Sequence, residues 1–181
     1  MVAIVIAAAA VLLVIWGISV QNKLVKLDEY SGNALKQINV QQVSRYDAIK
    51  ALAKLTREYS AYEGETLQKV VEARKITSPA SPSAEDINRN ESVLADMASK
   101  IVAVAERYPE LKANQQYLKT MDEVTRYEEN VRLSRMTFND TVTKFNNAVR
   151  MFPGSVIASL LHFSTKEYLA EDKTRTDYPE I

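Results

Sequence analysis

The side chains that could perform chemistry are few, and their spacing fits no common catalytic or metal site. His162 is the only histidine, and the chain has no cysteine. A di-metal site in a helical bundle uses paired Glu-x-x-His motifs. No histidine lies at that spacing from Glu123, Glu128 or Glu129. A Ser-His-Asp triad would depend on His162 alone, and the sequence contains no Gly-x-Ser-x-Gly elbow or Gly-rich phosphate loop. We therefore predict a noncatalytic protein without metal or cofactor.

Three polar residues interrupt apolar stripes and are the candidate packing or partner residues: Arg45, Glu128 and Arg135. Glu128 and Arg135 are the two polar positions of a heptad seam, whose apolar members are Tyr117, Met121, Val124, Val131, Phe138, Val142, Phe145, Val149 and Phe152. Each would need a partner on another helix. One interpretation is a buried cluster that binds a ligand or switches packing. The favoured one is that they fix helix register or extend to the surface.

Proline and glycine positions divide the chain into the helices that must position these residues. We predict helices over about residues 22–76, 83–107 and 114–151, with a short fourth helix capped by Ser155. Ser83 with Asp86 resembles a capping box, and Asn114 is a suitable N-cap. No alternating strand pattern of comparable length occurs. The predicted fold is all-α, an N-terminal transmembrane helix continuing into an extended antiparallel bundle of three long helices plus a short C-terminal helix.

The N-terminal segment has the length and composition of a membrane anchor. The run from Val2 to Ile18 is apolar apart from Gly17, and Trp16 near its end suits the membrane interface. A cleaved signal peptide would have a basic n-region and a small-residue cleavage site, and this segment has neither. We predict an uncleaved anchor over residues 1–20 and a helical-bundle domain over residues 21–181.

Charge gives the expected orientation and excludes one class of partner. Lys23 and Lys26 follow the anchor and nothing basic precedes it, so we expect the N-terminus outside and the bulk of the chain on the cytoplasmic side of the inner (plasma) membrane. The 23 basic residues are balanced by 23 acidic residues. This balance argues against electrostatic binding of nucleic acid.

The predicted helices differ in length, which bears on self-association. At 1.5 Å per residue the first helix beyond the anchor would be about 80 Å long and the second about 37 Å. The apolar stripe nearest the membrane would then need cover from the third helix, the fourth helix or another chain; it comprises Leu24, Leu27, Leu35 and Ile38. We predict a homo-oligomer.

The C-terminal apolar residues allow two interpretations. Residues 156–169 have an apolar side that we expect to dock on the bundle. The alternative is an interfacial membrane contact. Three acidic residues, Glu167, Glu171 and Asp172, weaken this alternative because anionic lipid repels them.

Several motifs together resemble the LemA family. They are Asn22-Lys-Leu-Val-Lys-Leu, the stretch from Ile38 to Asp47, Tyr-Pro-Glu-Leu-Lys-Ala-Asn ending at Asn114, and the run from Phe138 to Gly154. The resemblance implies one N-terminal membrane helix, a helical bundle in the cytoplasm and no established catalytic activity. Members encoded near membrane proteases suggest such membrane proteins as partners. The chain departs from the family pattern over residues 43–52, where members usually have a basic, proline-containing stretch.

These observations favour a membrane-anchored, noncatalytic scaffold or adaptor bound to the lipid bilayer. An anchored helical surface would raise the effective concentration of a membrane partner. The alternative is a transmembrane sensor that signals through the anchor. Its outer segment would be very short, which counts against it.

Overall fold

A computed structural model of the protein describes residues 1–59, 76 and 78–170. It contains the helices α1 (Val2–Tyr59), α2 (Ala84–Ala105), α3 (Pro109–Lys112), α4 (Gln115–Arg150) and α5 (Gly154–Leu160). No strand occurs within these described residues. The all-α prediction is confirmed, with the single turn α3 as an addition. The predicted continuation of the first helix through residues 60–75 lies outside the described part of the chain.

The apolar N-terminal segment and the polar stretch after it form one unbroken helix. α1 has 58 residues and passes through Gly17 and Gly32 without a break. Residues 2–15 are all exposed, and none of the most apolar part of α1 is buried inside the protein. Among the described residues, α1 is the helix long and apolar enough to cross a membrane.

The chain forms two compact units, and the first comprises Met1–Ala34 and Thr137–Tyr168. Its core joins Leu24 of α1, Phe145 of α4 and Ala158 of α5. Partly buried Val20, Leu27, Ala148, Val149 and Phe163 pack around them. Of the three expected sources of cover for Leu24 and Leu27, the structure shows the two long-range neighbours within the chain, α4 and α5. Cover of these two residues therefore does not require a second chain, and self-association stays a prediction.

The second unit consists of the described residues of 35–136 together with Leu169 and Ala170. Its core includes Ile49 and Leu52 of α1, Leu94 and Met97 of α2, and Val124 of α4. Leu111 places the single turn α3 in the same core. Three helices thus bury one apolar stripe each against the others, as the spacing predicted.

Side-chain caps begin two of the described helices, α2 and α4. Ser83 and Asp86 form the predicted capping box at the start of α2. The side chain of Asn114 accepts hydrogen bonds from the backbone N–H groups of Gln116 and Tyr117, which confirms it as the N-cap of α4. The prediction that Ser155 caps the last helix is wrong. α5 begins at Gly154, follows Pro153 and has no side-chain cap.

The only histidine has a backbone role at the end of α5. His162 has a positive φ of 58°, and its N–H bonds to the carbonyl of Ser159. The N–H of Phe163 bonds to the carbonyl of Ala158. This is the Schellman arrangement, which satisfies carbonyl groups left over at a helix end. His162 is exposed and occupies the position that usually holds glycine.

The capping box predicts an acid-sensitive α2. The backbone N–H of Ser83 donates to the Asp86 carboxylate at 3.1 Å and the Ser83 hydroxyl donates at 2.8 Å, which, with nearby Arg89, lowers the pKa of Asp86. A carboxyl group whose pKa is lowered by folding stabilises the folded protein at pH values above its unfolded pKa. This contribution is lost as the pH falls through the folded pKa.

We therefore expect Asp86→Asn to lower the urea midpoint of unfolding at neutral pH. The difference from the unaltered protein should shrink as the pH falls below the unfolded pKa of Asp86 and through its folded pKa. Urea titrations at a series of pH values, followed by helical circular dichroism, measure this. Glu85→Gln is the control, because Glu85 lies in the same helical turn without forming the capping box. An Asp86→Asn deficit that is independent of pH would contradict the prediction.

Candidate functional site: a polar layer and an apolar groove

Two of the three predicted polar residues meet in the second unit. The guanidinium of Arg45 on α1 donates to the Glu128 carboxylate on α4 at 3.0 Å. The same guanidinium donates to Glu91 on α2 at 2.5 Å. Arg45 is 3% exposed, whereas Glu91 is 21% and Glu128 is 54% exposed. One buried cation thus joins three helices through two carboxylates of unequal exposure.

Arg135 does not belong to this group. Its guanidinium donates to the side-chain oxygen of Asn88 on α2 and to the backbone carbonyl of Ala170. It therefore holds the backbone of Ala170 close to α2 within the second unit. Glu128 and Arg135 each have a partner on another helix, as expected: Arg45 on α1 for Glu128 and Asn88 on α2 for Arg135.

The sequence reasoning missed Glu91 and Gln42. The Gln42 amide donates to Glu91 at 3.1 Å and to the backbone carbonyl of Ile87 at 2.9 Å. A signal for Glu91 was present, because the α2 stripe skips from Ile87 to Leu94 and leaves a core-facing position polar. Arg45, Glu91, Glu128 and Gln42 are named the polar layer below.

The polar layer pairs one buried cation with two carboxylates. A buried ion pair is weak evidence for stability, and in some proteins such pairs fix helix register. Two buried atoms of the layer, Arg45 Nε and Gln42 Oε1, have no hydrogen-bond partner among the described residues. No group of three or more metal-ligating side chains occurs in the described ranges. The ion pairs of the layer connect α1 to α2 and to α4.

The predicted anchor residues have different surroundings in the first unit. Val2 and Ile18 are exposed along α1, as lipid-facing side chains would be. Trp16 is partly covered and lines a groove of about 560 Å³. The other α1 residues of the groove are Val20, Lys23, Leu24 and Leu27, and its opposite wall is formed by Lys144, Asn147, Ala148 and the turn Met151–Gly154. The groove therefore has apolar walls with two lysines.

The turn that closes the groove departs from the predicted seam. Phe152 is the last residue of the heptad pattern, but it is 83% exposed, so its assignment to the seam is wrong. The reason is that α4 ends at Arg150, ahead of Pro153, and residues past the end leave the helical face. The Phe152–Pro153 peptide bond is cis.

Residues 161–166, the segment after α5, are named the strap below and connect the helices of the first unit. The Lys166 ammonium contacts Asp28 and Ser31 of α1, each at 2.6 Å, and lies 5.2 Å from the centre of the Phe145 ring. Asn146 of α4 binds the backbone N–H and carbonyl of Lys166 at 2.8 and 2.9 Å. The strap thus fixes α1 to α4 next to the core.

The close approach at Gly154 gives a test of the turn. A methyl group at Gly154 would lie 2.5 Å from the backbone oxygen of Ala148, whereas one at Gly32 would meet nothing within 4 Å. We expect Gly154→Ala to destabilise the first unit by about 1–3 kcal/mol. Gly32→Ala, its matched control, should stabilise α1 by about 0.5–1 kcal/mol. Urea midpoints of the two variants measure this; equal midpoints would contradict it.

The chain matches the LemA family over residues 34–181. It belongs to the LemA family. No curated protein matches the chain.

The resemblance predicted from the motifs is confirmed. The LemA match includes Gln42, Arg45, Glu91 and Glu128, so the whole polar layer lies within the family region, as does Arg135. It begins at residue 34, beyond the apolar segment with Val2, Trp16 and Ile18. The chain is thus a LemA family protein with an N-terminal apolar helix.

Proposed function

We propose that this LemA family protein is an uncleaved, membrane-anchored, noncatalytic scaffold. The observation that carries the proposal is the continuity of α1: its apolar, fully exposed first part and its packed later part are one helix. Leu24 packs into the core of the first unit, so α1 is held by the folded domain a few residues after its proposed lipid-facing part. This rigid connection is suited to presenting a helical surface close to a bilayer.

The proposed orientation places the N-terminus outside and the bundle on the cytoplasmic side of the inner membrane. Lys23 and Lys26 support it, because basic residues next to a span favour the cytoplasmic side. Other membrane proteins are the proposed partners, since sharing a membrane raises their effective concentration. The use of Arg45, Glu91 and Glu128 in helix packing supports a role without catalysis.

Partner capture from cross-linked cells tests the scaffold proposal with the full chain. Ala8→Arg with Leu12→Arg places two charges in the exposed part of α1, at a cost of about 2.5–3.5 kcal/mol each for insertion. We expect this variant to leave the membrane and lose its partners. The control replaces residues 2–15, all exposed, with an unrelated apolar sequence.

The control separates a scaffold from a sensor. A scaffold needs only the location, so the control should keep the same partners as the unaltered chain. Loss of partners in the control would favour a sensor that signals through the sequence of its anchor. Retention of all partners by the doubly charged variant would contradict a tethered scaffold.

A further inference from the structure

An exposed apolar surface lies on the turn before α5 and on α5 itself. Phe152 is 83% exposed and Leu160 is 73% exposed. The surface comprises Met151, Phe152, Val156, Leu160 and Leu161, and it is named the tip surface below. Large apolar side chains clustered in this way mark a contact with a partner or a membrane.

The position of the tip surface beside α1 indicates a contact with a membrane. A methyl group on Gly17 would lie 3.7 Å from Cδ1 of Ile157 in α5. α5 therefore lies beside the last turn of the apolar segment, next to Trp16. In a membrane, this is the level at which the hydrocarbon gives way to headgroups.

Charge around the tip surface fits an anionic lipid surface. From Thr141 to Lys166 the chain has no acidic residue, and its basic residues other than the Asp28-bound Lys166 are Lys144 and Arg150. On α1 no acidic residue precedes Asp28, which itself pairs with Lys166. The acidic residues that weakened an interfacial contact in the sequence begin only at Glu167, after the strap. Basic side chains near a leaflet attract anionic headgroups.

We propose that the tip surface is a second membrane contact, in the same leaflet as the end of the anchor. Its apolar side chains lie among the acyl chains. An anionic phospholipid occupies the groove, with its acyl chain along Trp16 and Val20 and its phosphate at Lys23 and Lys144. The proposal rests on the proposed anchor, because the anchor places α5 at the headgroup level.

Quenching of tryptophan fluorescence by lipids brominated on the acyl chains tests this in vesicles of phosphatidylcholine and phosphatidylglycerol. Trp16 is the only tryptophan, so the unaltered protein reports on the anchor alone. Phe152→Trp and, separately, Leu160→Trp, each combined with Trp16→Phe, report on the tip surface. We expect strong quenching by bromine and little quenching by aqueous iodide at both positions. Circular dichroism confirms that each variant keeps its helix content.

A matched control and a charge variant complete the design. Tyr30→Trp with Trp16→Phe places the probe on an exposed position of α1 about 20 Å beyond Trp16, and we expect iodide but not bromine to quench it. Lys23→Gln with Lys144→Gln, added to the Phe152→Trp variant, should reduce bromine quenching in anionic vesicles. It should have no effect in vesicles of phosphatidylcholine alone.

The outcomes distinguish the two proposals. Bromine quenching of Trp16 with iodide quenching of Phe152→Trp and Leu160→Trp would overturn the tip contact and leave the anchor intact. No bromine quenching of Trp16 would overturn the anchor and the tip contact together. Protection of the tip positions from both quenchers would mean that a second copy of the chain covers them, which would also overturn the tip contact.

Discussion

Phe145→Ala is expected to lower the free energy of unfolding of the first unit by about 3–5 kcal/mol. Phe145 is fully buried between Leu24 and Ala158, and its ring meets that of Phe163 edge-on at 6.2 Å between centroids. Truncation removes this apolar contact, leaves a cavity and takes away the ring beneath the Lys166 ammonium. The loss is large beside the typical total of about 5–15 kcal/mol.

Hydrogen exchange of the purified full chain in detergent micelles measures this prediction by region. Exchange should rise for backbone amides of residues 18–34 and 137–163, which belong to the first unit. Leu118→Ala is the control on the same helix, because Leu118 is exposed. It should change exchange little. Unchanged protection of the first unit in Phe145→Ala would contradict its described core.

The polar layer gives the second large effect. We expect Glu91→Gln with Glu128→Gln to destabilise the second unit by about 3–5 kcal/mol, because Arg45 then stays buried without a counter-charge. Glu128→Gln alone should cost no more than about 1 kcal/mol, since its carboxylate is half exposed and screened by water.

Arg45→Met in the background of both glutamine substitutions distinguishes charge burial from lost packing. It removes the buried charge and keeps an apolar side chain of similar length, so it should restore much of the stability. Urea unfolding of the unaltered chain and of the single, double and triple variants measures these differences. A triple variant less stable than the double variant would contradict the assignment of Arg45 as a buried cation held by two carboxylates.

The polar layer was predictable only in part, for a reason of geometry. A gap in a helical stripe identifies which positions face the core, and this signal found Glu128 and would have found Glu91. The gap does not show which residues of two packed helices lie opposite each other along the helix axis. Arg135 lies about 10 Å along α4 from Glu128, and it binds Asn88 and Ala170 rather than joining Arg45.

The groove was beyond sequence reasoning for a different reason. The heptad pattern continues through Phe152, but the helix that would place this residue in the seam ends at Arg150. The wall of the groove depends on the backbone of Gly154 meeting that of Ala148, and periodicity contains no information on such an approach.

The central claim is that the apolar segment remains part of the protein and anchors it. The most direct measurement is mass spectrometry of the protein extracted from cell membranes after an alkaline carbonate wash. We predict that the washed membranes retain the protein and that its N-terminal peptide still contains residues 2–20. A protein that lacks these residues, or that is released by the wash, would contradict the claim.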